Sequence, residues 1–234
     1  MIKHNFYLSS ENIKLERVIF TEKQKHKIKN VLRLTERDFV NVLDGNGNAY
    51  TVTALSGEIK STETFLKTTK VNTRLYAGIT KFPSFELILQ KAVEIGIDEV
   101  IPVITARSVV KLKDAEKKVE RFKEIAISAF CQSKRVFLPE ICSVCNNLEN
   151  IKDTNDLKLV FYEIEKKCSF KETLEMNREV KTISVFIGPE GGLEKREISI
   201  LQNAGFTACK LTDNILKSET AVLFALSCLY FFYE

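Results

Sequence analysis

Two histidines (His4 and His26), two methionines, nine glycines, four prolines and no tryptophan are spread over 234 residues. So few histidines exclude a His-rich metal site, and a Ser-His-Asp triad would have to recruit one of two N-terminal residues. The low glycine and proline content rules out collagen-like and low-complexity chains. No apolar run approaches the roughly 20 residues that a membrane helix needs. The longest, Ala221 to Tyr233, reads as a buried helix or a contact between subunits. The N-terminal stretch MIKHNFYLSSENIKLER has neither the apolar core nor the small-residue site of a signal peptide. The six cysteines (131, 142, 145, 168, 209 and 228) therefore read as free thiols in a reducing cytosol, and a cytoplasmic location is expected.

Hydrophobic residues make up 44% of the chain and charged residues 28%, the balance of a folded globular protein. At about 150 residues per domain, the length fits one large domain or two small ones. The net charge of +4 is small, but its position along the chain is informative. Residues 1–72 hold twelve basic and eight acidic groups, whereas residues 73–234 are balanced at 23 of each. Seven of the basic groups (Arg17, Lys23, Lys25, Lys27, Lys29, Arg33 and Arg37) fall within residues 17–37. That cluster is either a solvated lysine-rich face or an electrostatic footprint for nucleic-acid phosphates.

Periodicity separates the same two parts. Phe39 to Leu43 runs into Asp44-Gly45-Asn46-Gly47 and returns from Ala49 to Leu55, a hairpin signal. Glu58 to Leu66 supplies a further strand, and Thr21 with Gln24 has capping-box spacing at the start of a short helix. A small β barrel is expected here. From Arg74 onward strands and helices alternate: strands at Leu75–Thr80, Val100–Ile104, Lys158–Tyr162, Thr182–Ile187 and Ala208–Leu211, with helices at Phe85–Ile95, Ala115–Phe130 and about Glu194–Asn203, and a last helix that Ser218 could cap. Phe85, Ile88, Leu89, Ala92 and Val93 form an apolar stripe at helical spacing, stopped by Gly96. The alternation predicts an α/β fold, a parallel sheet covered on both faces, whose ligands bind beyond the carboxyl ends of the strands.

Three such loops carry unusual chemistry. Ile187-Gly188-Pro189-Glu190-Gly191-Gly192-Leu193 lets backbone approach a ligand closely, yet matches neither GxGxxG nor GxxxxGK[ST]. Leu211 to Thr220 sets Lys217 and Glu219 around a helix start, and Cys131-Gln132-Ser133-Lys134-Arg135 gathers amide, hydroxyl and cations at a helix end. On residue type alone these read equally as a tight turn, a cap and a favourable C-terminus.

These three segments, with Ile88 to Val103 (ILQKAVEIGIDEVIPV), Val31 to Leu34 and Leu43 to Gly45, resemble the 16S ribosomal RNA uracil-N3 methyltransferases of the SPOUT class. The resemblance implies a PUA-like RNA-binding barrel in residues 1–72 and a methyltransferase domain with a C-terminal trefoil knot in residues 73–234. It implies S-adenosylmethionine as methyl donor, 16S ribosomal RNA in the small subunit as substrate, and a homodimer with no membrane association. The donor would be held by Tyr162, Glu163, Ile187, Gly188, Pro189, Glu190, Gly191, Gly192, Leu211, Ile215 and Leu216. Gln132, Ser133 and Thr220 would contact the uridine, and Lys23, Lys25, Lys27 and Arg33 the RNA. No metal is implied.

Uracil N3 carries a proton and becomes a nucleophile only as that proton is lost or shared. Glu219 is the expected base or orienting group, with Arg135 and Lys217 as electrostatic partners for charge on O2 and O4. The chain departs from the family pattern in having Cys131 in place of Glu, and Asn214 and Lys217 in place of Arg. Lys217 keeps the charge but not the planar fork, Asn214 loses a cation, and Cys131 removes a carboxylate. Three rival readings differ in their checks. A SPOUT enzyme modifying another base or a ribose 2′-OH would leave a different nucleoside. A non-catalytic RNA-binding module would not bind the donor. A redox or zinc role for Cys142 and Cys145 would show on mild oxidation or as bound zinc.

Overall fold

The computed structural model describes residues 4–233. They form two compact units, Met1–Thr68 with Ile127–Leu138, and Thr69–Ala126 with Pro139–Glu234.

The first unit contains β1 (Asn5–Tyr7), α1 (Glu22–His26), β2 (Phe39–Leu43), β3 (Asn48–Thr53) and β4 (Ile59–Thr64), with sheet order β1-β2-β3-β4. β1 runs parallel to β2, and the other neighbours are antiparallel. The predicted hairpin forms with Leu43 opposite Ala49. Its turn is organised by buried Asp44, whose carboxylate accepts from the Asn46 and Asn48 amides at 2.7 and 3.0 Å and from Asn48 Nδ2 at 2.7 Å. Thr21 and Gln24 make the expected reciprocal capping box. Phe6, Leu8, Val18, Phe20, Ile28, Val40, Val42, Val52 and Ala54 form the core.

Residues 127–138, expected in the second domain, pack instead with this unit. The Gly47 amide donates to Val136 O at 2.9 Å, the Leu138 amide donates to Gly45 O at 2.9 Å, and Asn5 Nδ2 donates to Cys131 O at 2.8 Å. Pairing between a hairpin turn and a segment so distant in sequence leaves no local periodicity to read.

The second unit continues with β5 (Asn72–Gly78), α2 (Phe82–Ile95), β6 (Glu99–Val103), α3 (Leu112–Glu116), α4 (Val119–Ser133, its last turns belonging to the first unit), β7 (Glu140–Ile141), β8 (Leu157–Phe161), α5 (Phe170–Met176), β9 (Thr182–Ile187), α6 (Lys195–Asn203), β10 (Thr207–Cys209) and α7 (Ser218–Tyr233). Its six strands are all parallel, in the order β10-β8-β9-β5-β6-β7. Tyr76, Val160 and Phe186 point to one face and pack with Ile198 and Leu201 of α6. Leu75, Leu159 and Val185 alternate to the other face and are equally inaccessible, so both faces are covered. The whole predicted stripe of α2 is buried. The single helix expected over Ala115–Phe130 is broken between Glu116 and Val119.

At the amino ends of the central strands lies a network that no motif announced. The Asp153 carboxylate accepts from Ser184 Oγ at 2.6 Å, Tyr76 Oη at 2.9 Å, the Asn155 amide at 2.8 Å and Arg74 Nη1 at 3.2 Å. Arg74 Nε also meets Glu99 at 2.6 Å. Burial disfavours the Asp153 charge, but these donors outweigh it and hold the carboxyl below its usual range. The network serves the sheet, since ligand chemistry belongs at the opposite ends of the strands.

Candidate active site

At the carboxyl ends of the strands, three connections of the second unit line one cavity of about 370 Å³. They are the end of β8 (Phe161, Tyr162, Glu163), the loop after β9 (Ile187 to Leu193) and the segment from Lys210 to Ser218 that leads into α7. All eleven residues expected to bind a donor line it, as does Lys217.

The β9 loop is shaped by close backbone approaches. Gly78, at the end of central strand β5, lies so near that a Cβ there would sit 2.5 Å from Pro189 N and 2.7 Å from Gly188 C. The chain then turns, with the Gly192 amide donating to Pro189 O at 2.9 Å. Gly192 has φ +69, and a Cβ on it would meet Glu163 Oε1 at 2.9 Å. Ser218, which the sequence suggested as a cap of the last helix, is instead that helix's first residue. Its buried hydroxyl donates to Gly188 O at 2.9 Å, tying the β9 loop to the start of α7.

Charge around the cavity is mixed. Glu163 and Glu190 are exposed on its lining, with Glu190 Oε1 accepting from the Lys81 amide at the start of α2 (3.3 Å). Lys210 is paired with Asp213, whose carboxyl that hydrogen bond holds below its usual range. Lys217 is exposed on the lining. Two paired or separate lysines do not make a phosphate-binding cluster. The Glu163 and Glu190 carboxylates, the Pro189–Gly192 turn and the apolar Phe161, Ile187, Leu211, Ile215 and Leu216 suit a ligand with a planar heterocycle and a cationic end.

Glu219 and Thr220 fall on the first turn of α7, one residue beyond the lining. Glu219 is half-buried and Thr220 exposed. Gln132, Ser133 and Arg135 belong to the first unit and do not line this cavity. Lys134, between them, terminates α4 with φ +57. Lys23 and Lys25 lie on α1, with Lys27 and Arg33 just beyond, and all four are exposed. Lys25 pairs with Glu22 at 2.7 Å, and Lys27 Nζ stands 5.5 Å from the Phe6 ring centre.

Sequence reasoning missed the loop after β6. Arg107 Nη1 donates to Gly191 O at 3.0 Å, and the Ala106 amide donates to Glu197 Oε1 at 2.8 Å. Its one local signal in the sequence is Thr105 and Ser108 three residues apart, the spacing of a hydroxyl-capped turn. The redox reading of Cys142 and Cys145 finds two thiols with separate acceptors, Glu99 and the Asn147 carbonyl, both pushed up by burial, Cys142 to about 12.

With this geometry in place, similarity to known proteins becomes specific. A family profile described as an RNA methyltransferase domain matches residues 67–230. The ribosomal RNA small subunit methyltransferase E of Bacillus subtilis is 31% identical over 224 residues, covering 89% of this chain and 88% of that protein. The protein of the same name from Aquifex aeolicus is 35% identical over 158 residues, 66% of each chain and so just under two thirds of its length. A crystal structure of that methyltransferase from Neisseria gonorrhoeae, bound to S-adenosyl methionine, superposes with a TM-score of 0.84 at 27% identity, covering 97% of this chain and 96% of that one.

Proposed function

The chain belongs to the RNA methyltransferase family, among the relatives of the ribosomal RNA small subunit methyltransferases E, and from that membership we propose that it transfers the methyl group of S-adenosylmethionine to N3 of a uridine in 16S ribosomal RNA. One observation carries the reading: the β8, β9 and β10 connections, separate in sequence, meet at one cavity lined by all eleven residues expected to hold the donor.

The residues fit the donor. The cavity of about 370 Å³ lies in the range of small-molecule sites. The donor has no phosphates, in keeping with a lining that has a Gly-Pro-Glu-Gly-Gly turn and no lysine cradle. Leu211, Ile215 and Leu216 would hold the adenine by backbone and apolar contact, with Tyr162, Glu163 and Gly188 to Gly192 enclosing the rest. When bound, the donor supplies an electrophilic methyl on a sulfonium.

The remaining demand falls on protein side chains. Glu219 accepts the N3 proton, and Lys217 and Arg135 stabilise the negative charge that spreads to O2 and O4. Gln132, Ser133 and Thr220 hold the uracil, so that N3 is in line with the methyl. Exposed Lys23, Lys25, Lys27 and Arg33 take the RNA phosphates, in keeping with the excess of basic charge in residues 1–72. In this reading the first unit is a PUA-like barrel, and the β9 loop and Leu211–Lys217 form a trefoil knot. The enzyme is a cytoplasmic homodimer, in which one protomer contributes to its partner's site, acting on the assembled small subunit.

Incubation with labelled donor and either assembled small subunits or free 16S ribosomal RNA, followed by digestion to nucleosides, tests the reading. Label in 3-methyluridine, stronger with subunits, is expected. Label in a 2′-O-methyl nucleoside or another base would replace the substrate assignment while leaving the donor site standing.

A further inference from the structure

The cavity's most prominent turn is gripped from outside by a loop that does not line it. After β6 the chain makes a tight turn over Thr105–Ser108: the Ser108 amide donates to Thr105 O at 3.1 Å, and the Thr105 amide donates to Ser108 Oγ at 3.0 Å. Thr105 is buried, so the turn has a fixed base. Its second residue is fixed from the other side by Glu197. That buried carboxylate accepts from the Ala106 amide at 2.8 Å through one oxygen and from the Glu194 amide at 2.8 Å through the other. Glu197 therefore staples the β6 turn to the segment leaving the donor loop.

Arg107 is the third residue of this turn and its side chain completes the grip. Nη1 donates to the Gly191 carbonyl at 3.0 Å, and Nε lies 3.8 Å from a Glu194 carboxylate oxygen. The backbones also touch. A Cβ on Gly191 would come within 2.9 Å of Arg107 Cβ and 3.2 Å of Arg107 O, so glycine at 191 lets the two loops close on each other. Gly191 sits inside the Pro189–Gly192 turn that lines the cavity.

We propose that Arg107 is a positioning residue for the methyl donor: by holding the Gly191 carbonyl, it fixes the Pro189–Gly192 turn in its binding shape and thereby sets donor affinity. The inference rests on the assignment of this cavity to S-adenosylmethionine. A donor site preorganised by a neighbouring loop binds tighter because the loop need not be ordered on binding. The guanidinium fork spans the carbonyl and Glu194 together, which an ammonium does not.

The test measures donor affinity by calorimetry and the KM for donor and for small subunits separately, in wild type, Arg107→Ala and Arg107→Lys. The hydrogen bond involves a charged donor, so Arg107→Ala should weaken donor binding about ten-fold. The KM for donor should rise with it, the KM for small subunits should stay within two-fold, and Arg107→Lys should recover part of the loss. Unchanged donor affinity in Arg107→Ala overturns the proposal. So does a loss confined to the KM for small subunits, which would make Arg107 an RNA contact. If Arg107→Ala proves unfolded by thermal denaturation, Arg107→Met, which keeps the packing stem, decides by the same criteria. Wild-type protein that binds no donor would instead defeat the assignment of the cavity itself.

Discussion

Replacing Gly78 by alanine should damage the proposed donor site from beneath. The new methyl would stand 2.5 Å from Pro189 N, 2.6 Å from Pro189 Cδ and 2.7 Å from Gly188 C. Non-bonded heavy atoms settle near 3.5 Å, so either the end of β5 or the donor loop must retreat by roughly 1 Å. β5 lies between β9 and β6 in the sheet and cannot readily yield, which leaves the loop to move. A shift of that size carries Gly188 O beyond reach of the buried Ser218 hydroxyl, now at 2.9 Å. Overpacking and an unmet buried hydroxyl each cost about 1–3 kcal/mol. Together they cost about 2–6 kcal/mol, and even the low end of about 2–3 kcal/mol lowers the melting temperature by roughly 4–12 °C in a chain of this length. If even half is borne by the binding-competent loop, donor affinity measured by calorimetry falls about ten-fold. Gly205→Ala is the control. There φ is +87, so alanine is strained by about 1–2 kcal/mol, but the nearest atoms are the end of the flexible Lys158 side chain. It should lower the melting temperature and leave donor binding intact. Wild-type donor affinity in Gly78→Ala, or equal losses in both variants, would refute the account of the loop.

Other outcomes follow from the same geometry. Ser218→Ala removes the link to Gly188 and should weaken donor binding by several-fold, measured by calorimetry, with a loss of about 1 kcal/mol in denaturant unfolding. Asp153→Asn should destabilise the chain by about 1–3 kcal/mol at pH 7, with donor affinity little changed. Because the Asp153 carboxyl is lowered in the folded state, its stabilisation is present above the carboxylate's unfolded pKa of about 3.9. It is lost as pH falls through the folded value, so denaturation curves of wild type and variant should converge in acid. Cys209, pushed up to about 12 mainly by burial, should resist iodoacetamide at pH 8 in the folded protein and label once unfolded, as read by mass spectrometry. RNA affinity should fall steeply with salt while donor affinity barely moves; equal sensitivity would contradict the division of charge between the two parts.

The features legible in the sequence were those with short-range periodicity or fixed chemistry. The α2 stripe, the Asp44–Gly47 hairpin, the Thr21 capping box and the apolar strand Thr182–Ile187 all express themselves within a dozen residues. The glycine turn after β9 and the segment from Leu211 to Lys217 were found as motifs, and they line one cavity. What escaped depends on contacts between distant segments. Residues 127–138 pack with the first unit through backbone hydrogen bonds to Gly45 and Gly47 that any residue types could make. Gly78 falls inside the expected strand Leu75–Thr80 with nothing to mark it, because its closeness to Pro189 arises only when β5 and β9 pair. Ser218 has the composition of a cap, and only the fold sets Gly188 O within its reach. Arg107 and Asp153 act through partners 84 and 31 positions away in the chain.

One modified nucleoside decides the substrate assignment. Small-subunit RNA from cells lacking this protein, digested and read by mass spectrometry, should lack a 3-methyluridine that the wild-type gene restores and a Glu219→Gln copy does not. Persistence of 3-methyluridine at full level in those cells would contradict it.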